Sequence, residues 1–176
     1  NLWDVAGSLY KNNELIYGIV YCPELGELYE AQKGSGAFLN GKPIRVSNVK
    51  TMQDAIVIYN RSSHQPEIID RSKRLLAEIL EHSKTFRVFG TGPIDYCFVA
   101  AGRADAVISP LAEPFHSAGY IIMKEAGANV TDFEGNPDSL NSKTLIAANK
   151  ELYPELYNLV RRTRNDWSYS KIYIYH

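Results

Sequence analysis

The sequence predicts an α/β fold of layered helices and mixed sheets, and three stretches carry that prediction. From Arg87 the chain reads as a strand, a tight turn at Gly90 to Pro93, a helix through Ala101, a strand at Asp105 to Ser109 and a second helix from about Phe115 to Glu125. Such strand-turn-helix units put small turn residues at strand ends, where α/β folds bind ligands. From Glu67 to Ser83, Ile68, Ile69, Leu75, Leu76, Ile79 and Leu80 recur at helical spacing and make one buried face. Leu15 to Cys22 is dense in Ile, Val and Tyr and long enough for a central strand.

The elements follow in order. Asn1 to Tyr10 opens without a cap or leader, and Lys11-Asn12-Asn13-Glu14 is a turn into the Leu15 strand. Pro23-Glu24-Leu25-Gly26 turns the chain back into Glu27 to Gln32, an antiparallel hairpin. Gly34-Ser35-Gly36 and Asn40-Gly41 bracket a short strand, Ala37 to Leu39, with Asn-Gly a strong hairpin signal. Gly34-Ser35-Gly36 lacks the Lys-Ser/Thr of a phosphate-cradling loop and opens no helix, so it reads as a turn. Ala55 to Asn60 is a further strand, and Pro66 stands where a helix start tolerates a missing N–H. His64 and His82 flank that helix and are expected to be solvated.

Lys150 to Thr163 reads as a final amphipathic helix, with Leu152, Leu156, Leu159 and Val160 on one side and Pro154 tolerated near its first turn. In the tail, Tyr169, Lys171, Tyr173 and Tyr175 alternate with Ser170, Ile172 and Ile174; a pendant edge strand and a partner-binding tail both fit. No repeat or linker divides the chain, so one domain over 1–164 with a Tyr-rich tail at 165–176 is expected.

Bulk properties narrow the class. A chain of 176 residues, 45% hydrophobic and 22% charged, is long and apolar enough for one soluble domain with a sizeable core. The net charge of -1, with signs interspersed, gives no electrostatic case for nucleic acid or an anionic membrane. No apolar run approaches the roughly 18 residues that span a bilayer, and no charged leader precedes one, so a cytoplasmic location is expected. Cys22 and Cys97 lie in apolar surroundings without metal-ligand spacing and read as buried free thiols.

Several segments then fall into a familiar order. Gly90-Thr91-Gly92, Val99-Ala100-Ala101-Gly102-Arg103-Ala104-Asp105-Ala106, Ala118-Gly119, Glu125-Ala126-Gly127-Ala128, Thr131-Asp132, Gly135 and Ile146-Ala147-Ala148-Asn149 succeed one another, and Lys33-Gly34-Ser35-Gly36-Ala37-Phe38 leads to Asn40-Gly41-Lys42-Pro43 upstream. Together they resemble the C-terminal two-thirds of the inositol monophosphatase family, over roughly Leu9 to Val160. The resemblance implies that family's sugar phosphatase fold, incomplete at the N-terminus. It also implies a Mg²⁺-dependent phosphatase of inositol or sugar monophosphates that acts on a small phosphorylated substrate and forms a homodimer.

The departures from the family bear on the metal. Family members hold Mg²⁺ through Glu-Glu and Asp-Pro-(Ile/Leu)-Asp-Gly-(Thr/Ser) motifs, which are absent here, and through the Asp of Trp-Asp-x-Ala-Ala-Gly. Pro114-Phe115-His116-Ser117-Ala118-Gly119 stands in place of the latter, one residue shorter, with His116 or Phe115 where the Asp belongs. Phosphate ester hydrolysis needs a nucleophilic water and charge neutralisation on the leaving oxygen, which carboxylate-held Mg²⁺ supplies. Glu113, His116 and Asp4 are therefore the metal candidates. Imidazole is a poor Mg²⁺ ligand, and a helix-start histidine contacting backbone or solvent is the other reading of His116. Asp4 lies in Trp3-Asp4-Val5-Ala6-Gly7, which resembles the missing motif at the wrong end of the chain; chance similarity in a strand and a rearranged chain both account for it. Asp95 and Asp105 match helical or structural positions and read as solvated or capping carboxylates.

Gly90, Thr91 and Gly92 match the family loop whose backbone approaches the substrate, and the helix that follows favours an anion. Pro93 lacks a donor N–H there. Ser109 stands where inositol-specific relatives place an acid, so weaker recognition of a sugar hydroxyl is expected there; Gly90, Thr91, Gly92 and Ser109 are the expected substrate-binding residues. The rival reading is a non-catalytic binding or scaffold protein that keeps the fold after its metal site has decayed. With Glu113 and Asp4 alone, Mg²⁺ binding no tighter than the millimolar range is expected.

Overall fold

The computed structural model of the protein describes residues 2–60, 66–111, 116–137 and 142–163. The tail at 165–176, Glu113 and His64 lie outside them. Five strands, β1 (Val5–Lys11), β2 (Glu14–Cys22), β3 (Glu27–Gln32), β4 (Gly36–Leu39) and β5 (Lys42–Ile44), form an antiparallel meander in chain order. Its turns are those the sequence marks: Asn12 and Asn13 take φ of 50° and 63°, and Asn40 and Gly41 take 48° and 73°. Asparagine and glycine enter this left-handed region at least cost, and the tight hairpin requires it. Register puts Val20 opposite Tyr29 and Ala31 opposite both Gly18 and Ala37, so one face of the meander is buried.

The second sheet is mixed. It comprises β6 (Ile56–Tyr59), β7 (Thr85–Arg87), β8 (Ala106–Ser109), β9 (Asn129–Thr131) and β10 (Leu145–Ala148), in the order β7-β6-β8-β10-β9. β6 runs parallel to β7 and β8, while β10 runs antiparallel to β8 and β9. Four helices complete the fold: α1 (Pro66–His82), α2 (Gly92–Ala100), α3 (Ser117–Glu125) and α4 (Tyr153–Arg162).

Alternation along the central strands defines the layers. Ile58, Val107, Leu145 and Ala147 join a core with α2, α3 and the meander, whereas Val57, Tyr59, Ala106, Ile108, Ile146 and Ala148 join one with α1 and α4. The α2–α3 pair is thus sandwiched between the two sheets, with α1 and α4 outside the second. A sheet buried on both faces reads as short unbroken apolar runs, which is the character of β6, β8 and β10. Each fully buried Ile or Leu in such a layer contributes about 1.5–3 kcal/mol.

One expectation is corrected, and two strands are added. Leu80 is 66% exposed, because it lies about 100° around α1 from Ile79 and off the stripe of Ile68, Leu75 and Ile79, all fully buried. α3 runs from Ser117 with His116 as its N-cap, within two residues of the expected start, and Phe115 lies outside the described residues. β9 and β10 are strands that no sequence signal marked; β10 is Leu-Ile-Ala-Ala, and alanine is depleted in strands that are not held by packing. Cys22 and Cys97 are free and buried, as expected.

Candidate functional site

Most of the residues singled out in the sequence converge on the first turn of α2. Gly90 takes φ of 77°, which swings the chain from β7 into the helix. Thr91 is the N-cap, yet its side chain makes no capping hydrogen bond. Gly92 and Pro93 follow as the first two helical residues, so one of the first-turn positions has no donor.

His116 reaches this turn from the start of α3. It is 4% exposed, and its Nε2 occupies the place that a Cβ on Gly92 would take. The small residue is therefore what admits the imidazole. Gly119, on the same helix, lies against Tyr96, where a Cβ would stand 2.7 Å from the ring, so the two helices approach through their glycines.

Tyr96 links His116 to Ser109. Its hydroxyl donates to Ser109 Oγ at 3.2 Å and lies 3.0 Å from His116 Nδ1, with the two rings edge-on. A phenol has one proton to give. With that proton on Ser109, the Nδ1–H of His116 donates to the phenol oxygen and Nε2 is the unprotonated nitrogen on the Gly92 side. Burial pulls the His116 pKa down to about 4, so the ring is neutral at physiological pH. Ser109 is fully buried at the end of β8, and its hydroxyl serves Tyr96.

Two carboxylates meet the same turn. Asp4, just ahead of β1, is half-buried; burial raises its pKa, and the backbone N–H of Ile94 partly offsets that. Asp95, in the helix, has no exposed surface, and neither carboxylate oxygen has a hydrogen-bond partner. Burial pushes its pKa up to about 8, with the Thr91 amide lowering it and the Asp4 charge raising it further. The expectation of a solvated or capping Asp95 is thereby corrected. Asp105 does cap, accepting the Ile56 N–H at 2.6 Å.

Tyr96 is the residue that sequence reasoning passed over, and the burial of Asp95 is the property it missed. A signal existed: Gly92–Ala100 is apolar on every side, such a helix is buried all round, and the one acid in it must be buried too.

The structure brings together Gly90, Thr91, Gly92, Ser109, His116 and Asp4; Glu113 falls outside the described residues. Elsewhere, Glu78, Glu81 and His82 on the last turns of α1 are, among the described residues, the one group of three whose ligand atoms could meet at an ion. They sit in the outer layer, where His82 lies 3.5 Å and Arg162 3.9 Å from Glu78, and neither Asp4 nor His116 belongs to them. At α2 the oxygen donors suit a hard cation such as Mg²⁺, whereas the imidazole engaged with Tyr96 does not.

The model of the inositol monophosphatase family matches residues 5–165. The chain is 31% identical over 159 residues to the fructose-1,6-bisphosphatase/inositol-1-monophosphatase of Thermotoga maritima, covering 90% of this chain and 60% of that one. It is 32% identical over 147 residues to the Nus factor SuhB of Vibrio cholerae, covering 83% and 55%. Among solved structures, the extragenic suppressor protein suhB of Bartonella henselae superposes with a TM-score of 0.85 at 30% identity, covering 90% of this chain and 61% of that one. The Thermotoga maritima IMPase gives 0.83 at 29%, covering 91% and 61%. The chain thus spans about 60% of the length of these relatives.

Proposed function

Because this chain belongs to the inositol monophosphatase family, we propose that it serves a Mg²⁺-dependent phosphatase of small phosphate monoesters, with inositol and sugar monophosphates as the substrate class and a homodimer as the assembly. The observation that carries this reading is the turn at Gly90 to Gly92: small residues at a strand end, opening a helix whose N-terminus favours an anion. Gly90 sets the turn, and the missing side chain of Gly92 makes the room that His116 fills.

Mg²⁺, when bound, lowers the pKa of a water and neutralises charge on the leaving oxygen. Asp4 and Glu113 are the carboxylates this chain would lend to it. His116 has a different part. Held neutral and bonded to Tyr96, it packs against Gly92 and so positions the turn. Phosphate release by the purified protein from a panel of inositol and sugar monophosphates, under excess Mg²⁺, tests the proposal. Metal-dependent turnover of at least one ester is expected; no release from any of them refutes it and leaves the non-catalytic reading. The replacement of the family's aspartate by a buried imidazole favours that second reading.

A further inference from the structure

We propose that Asn60 determines specificity at the carboxyl ends of the second sheet: its side-chain amide donates to an oxygen on the alcohol part of the phosphate ester. The inference rests on the phosphatase reading and adds to it a residue from the strand beside Ser109. Asn60 is 2% exposed at the end of β6, and its Nδ2 has no hydrogen-bond partner among the described residues. Elsewhere the chain uses such amides internally: Asn40 donates to Gly26 O at 3.1 Å, Asn136 to Asp132 Oδ2 at 3.0 Å and Asn149 to Val49 O at 2.7 Å. A buried donor left open carries a desolvation cost that an arriving acceptor removes.

Strand alternation aims that donor. Ile58 belongs to the inner core and Tyr59 to the outer one, so Asn60 turns to the α2 side. The ladder reaches this far, because the Asn60 N–H donates to Ile108 O at 2.9 Å. Val107 and Ile108 alternate in the same way, and Ser109 Oγ, 3.2 Å from the hydroxyl of Tyr96 in α2, takes the inner side. Asn60 and Ser109 therefore stand side by side on adjacent strands, about 4.8 Å apart, facing one layer. Ser109 accepts from Tyr96, and its own proton has no acceptor among the described residues. Two neutral donors thus lie together where an acid would offer acceptors, and they suit a ring, carbonyl or hydroxyl oxygen. The topology opens the place for it. α1, which follows β6, packs on the outer face, whereas α2, which follows the neighbouring parallel strand β7, packs on the inner one. Where connections leave adjacent strands for opposite faces, a crevice forms at the strand ends, and α/β folds bind ligands there.

The side-chain amide resonances of the isotope-labelled full chain test this, with the Asn60 pair assigned through its own backbone. Myo-inositol 1-phosphate and glucose 6-phosphate are titrated in EDTA and again with Mg²⁺. At least one ester should move the Asn60 pair saturably while the pairs of Asn40, Asn136 and Asn149, already bonded within the chain, stay in place. Asn60→Asp keeps the shape and removes the donor, and should weaken that ester by about tenfold or more; Asn60→Leu should do the same. An Asn60 pair that neither ester moves in either condition, or parental affinity in a folded Asn60→Asp or Asn60→Leu, overturns the proposal and leaves the amide to a buried water. Because the resonance is read in the parent chain, a variant that fails to fold leaves the test intact. Phosphate release with an unmoved amide sinks this inference alone, and a moved amide without phosphate release sinks the phosphatase reading alone.

Discussion

His116 shows how one side chain can hold a site together without joining its chemistry. Its imidazole is packed against Gly92, bonded to Tyr96 and kept neutral, with a pKa of about 4 against an ordinary value near 6.5. Above pH 6.5 the ring is neutral in both the folded and the unfolded chain, so it costs nothing. As pH falls from about 6.5 to about 4, the unfolded chain takes a proton that the folded one refuses, and stability falls by at most about 1.4 kcal/mol per pH unit. His116→Asn keeps a polar atom near Nδ1 and does not titrate. Urea unfolding at pH 7, 6, 5 and 4.5 should therefore show a shallower acid loss in the variant than in the parent. Parallel pH profiles would mean that His116 is not buried neutral.

At the level of elements, one contact explains two segments that the sequence left apart. Glu125, at the end of α3, accepts the backbone N–H groups of Gly34 at 2.9 Å and Gly36 at 3.0 Å, across a separation of 91 residues for the first. The turn between β3 and β4 therefore has its amides filled by the chain's own carboxylate, which agrees with reading Gly34-Ser35-Gly36 as a turn rather than a phosphate cradle. Glu125→Ala strips both acceptors, and two amides to a charged acceptor are together worth about 1–3 kcal/mol. Hydrogen exchange at residues 34 and 36 should accelerate and the unfolding midpoint should fall by a matching amount. Unchanged exchange at those amides would show that α3 does not clamp the hairpin. Arg103 makes a similar tie, joining the loop after α2 to Glu27 of β3 at 2.6 and 2.8 Å.

On the scale of the whole molecule, the meander is buried on one face and open on the other. Val5 and Leu9 of β1 are 59% and 56% exposed, and Tyr21, paired with Val5, is 42% exposed. Val5 and Tyr21 lie side by side, Leu9 follows four residues along the same edge strand, and exposed apolar side chains of this kind bind apolar dyes. Leu9→Lys should lower the fluorescence of a bound hydrophobic dye while moving stability by no more than about 0.5 kcal/mol. A loss of several kcal/mol would show that Leu9 is packed in solution. Among the described residues no helix is long and apolar enough to cross a membrane.

The sequence alone determined the element order over most of the chain and the family, because both rest on short-range patterns. Helical spacing marks α1 and α4, Asn-Gly and Asn-Asn mark the hairpins, and ordered segments such as Gly90-Thr91-Gly92 and Glu125-Ala126-Gly127 mark the relationship. Leu80 and β10 were misjudged for a physical reason: apolar character says that a residue can be buried, and only the neighbouring layer decides whether it is. The site was legible as a place, the turn ahead of α2, but its contents were not. Asp4 comes near Ile94, His116 meets Gly92 and Tyr96, and Glu125 meets Gly34, only because the α2–α3 layer is pressed between two sheets. Burial there, and with it the displaced pKa values of Asp95 and His116, is a property of the stacked layers that no local stretch of the chain encodes.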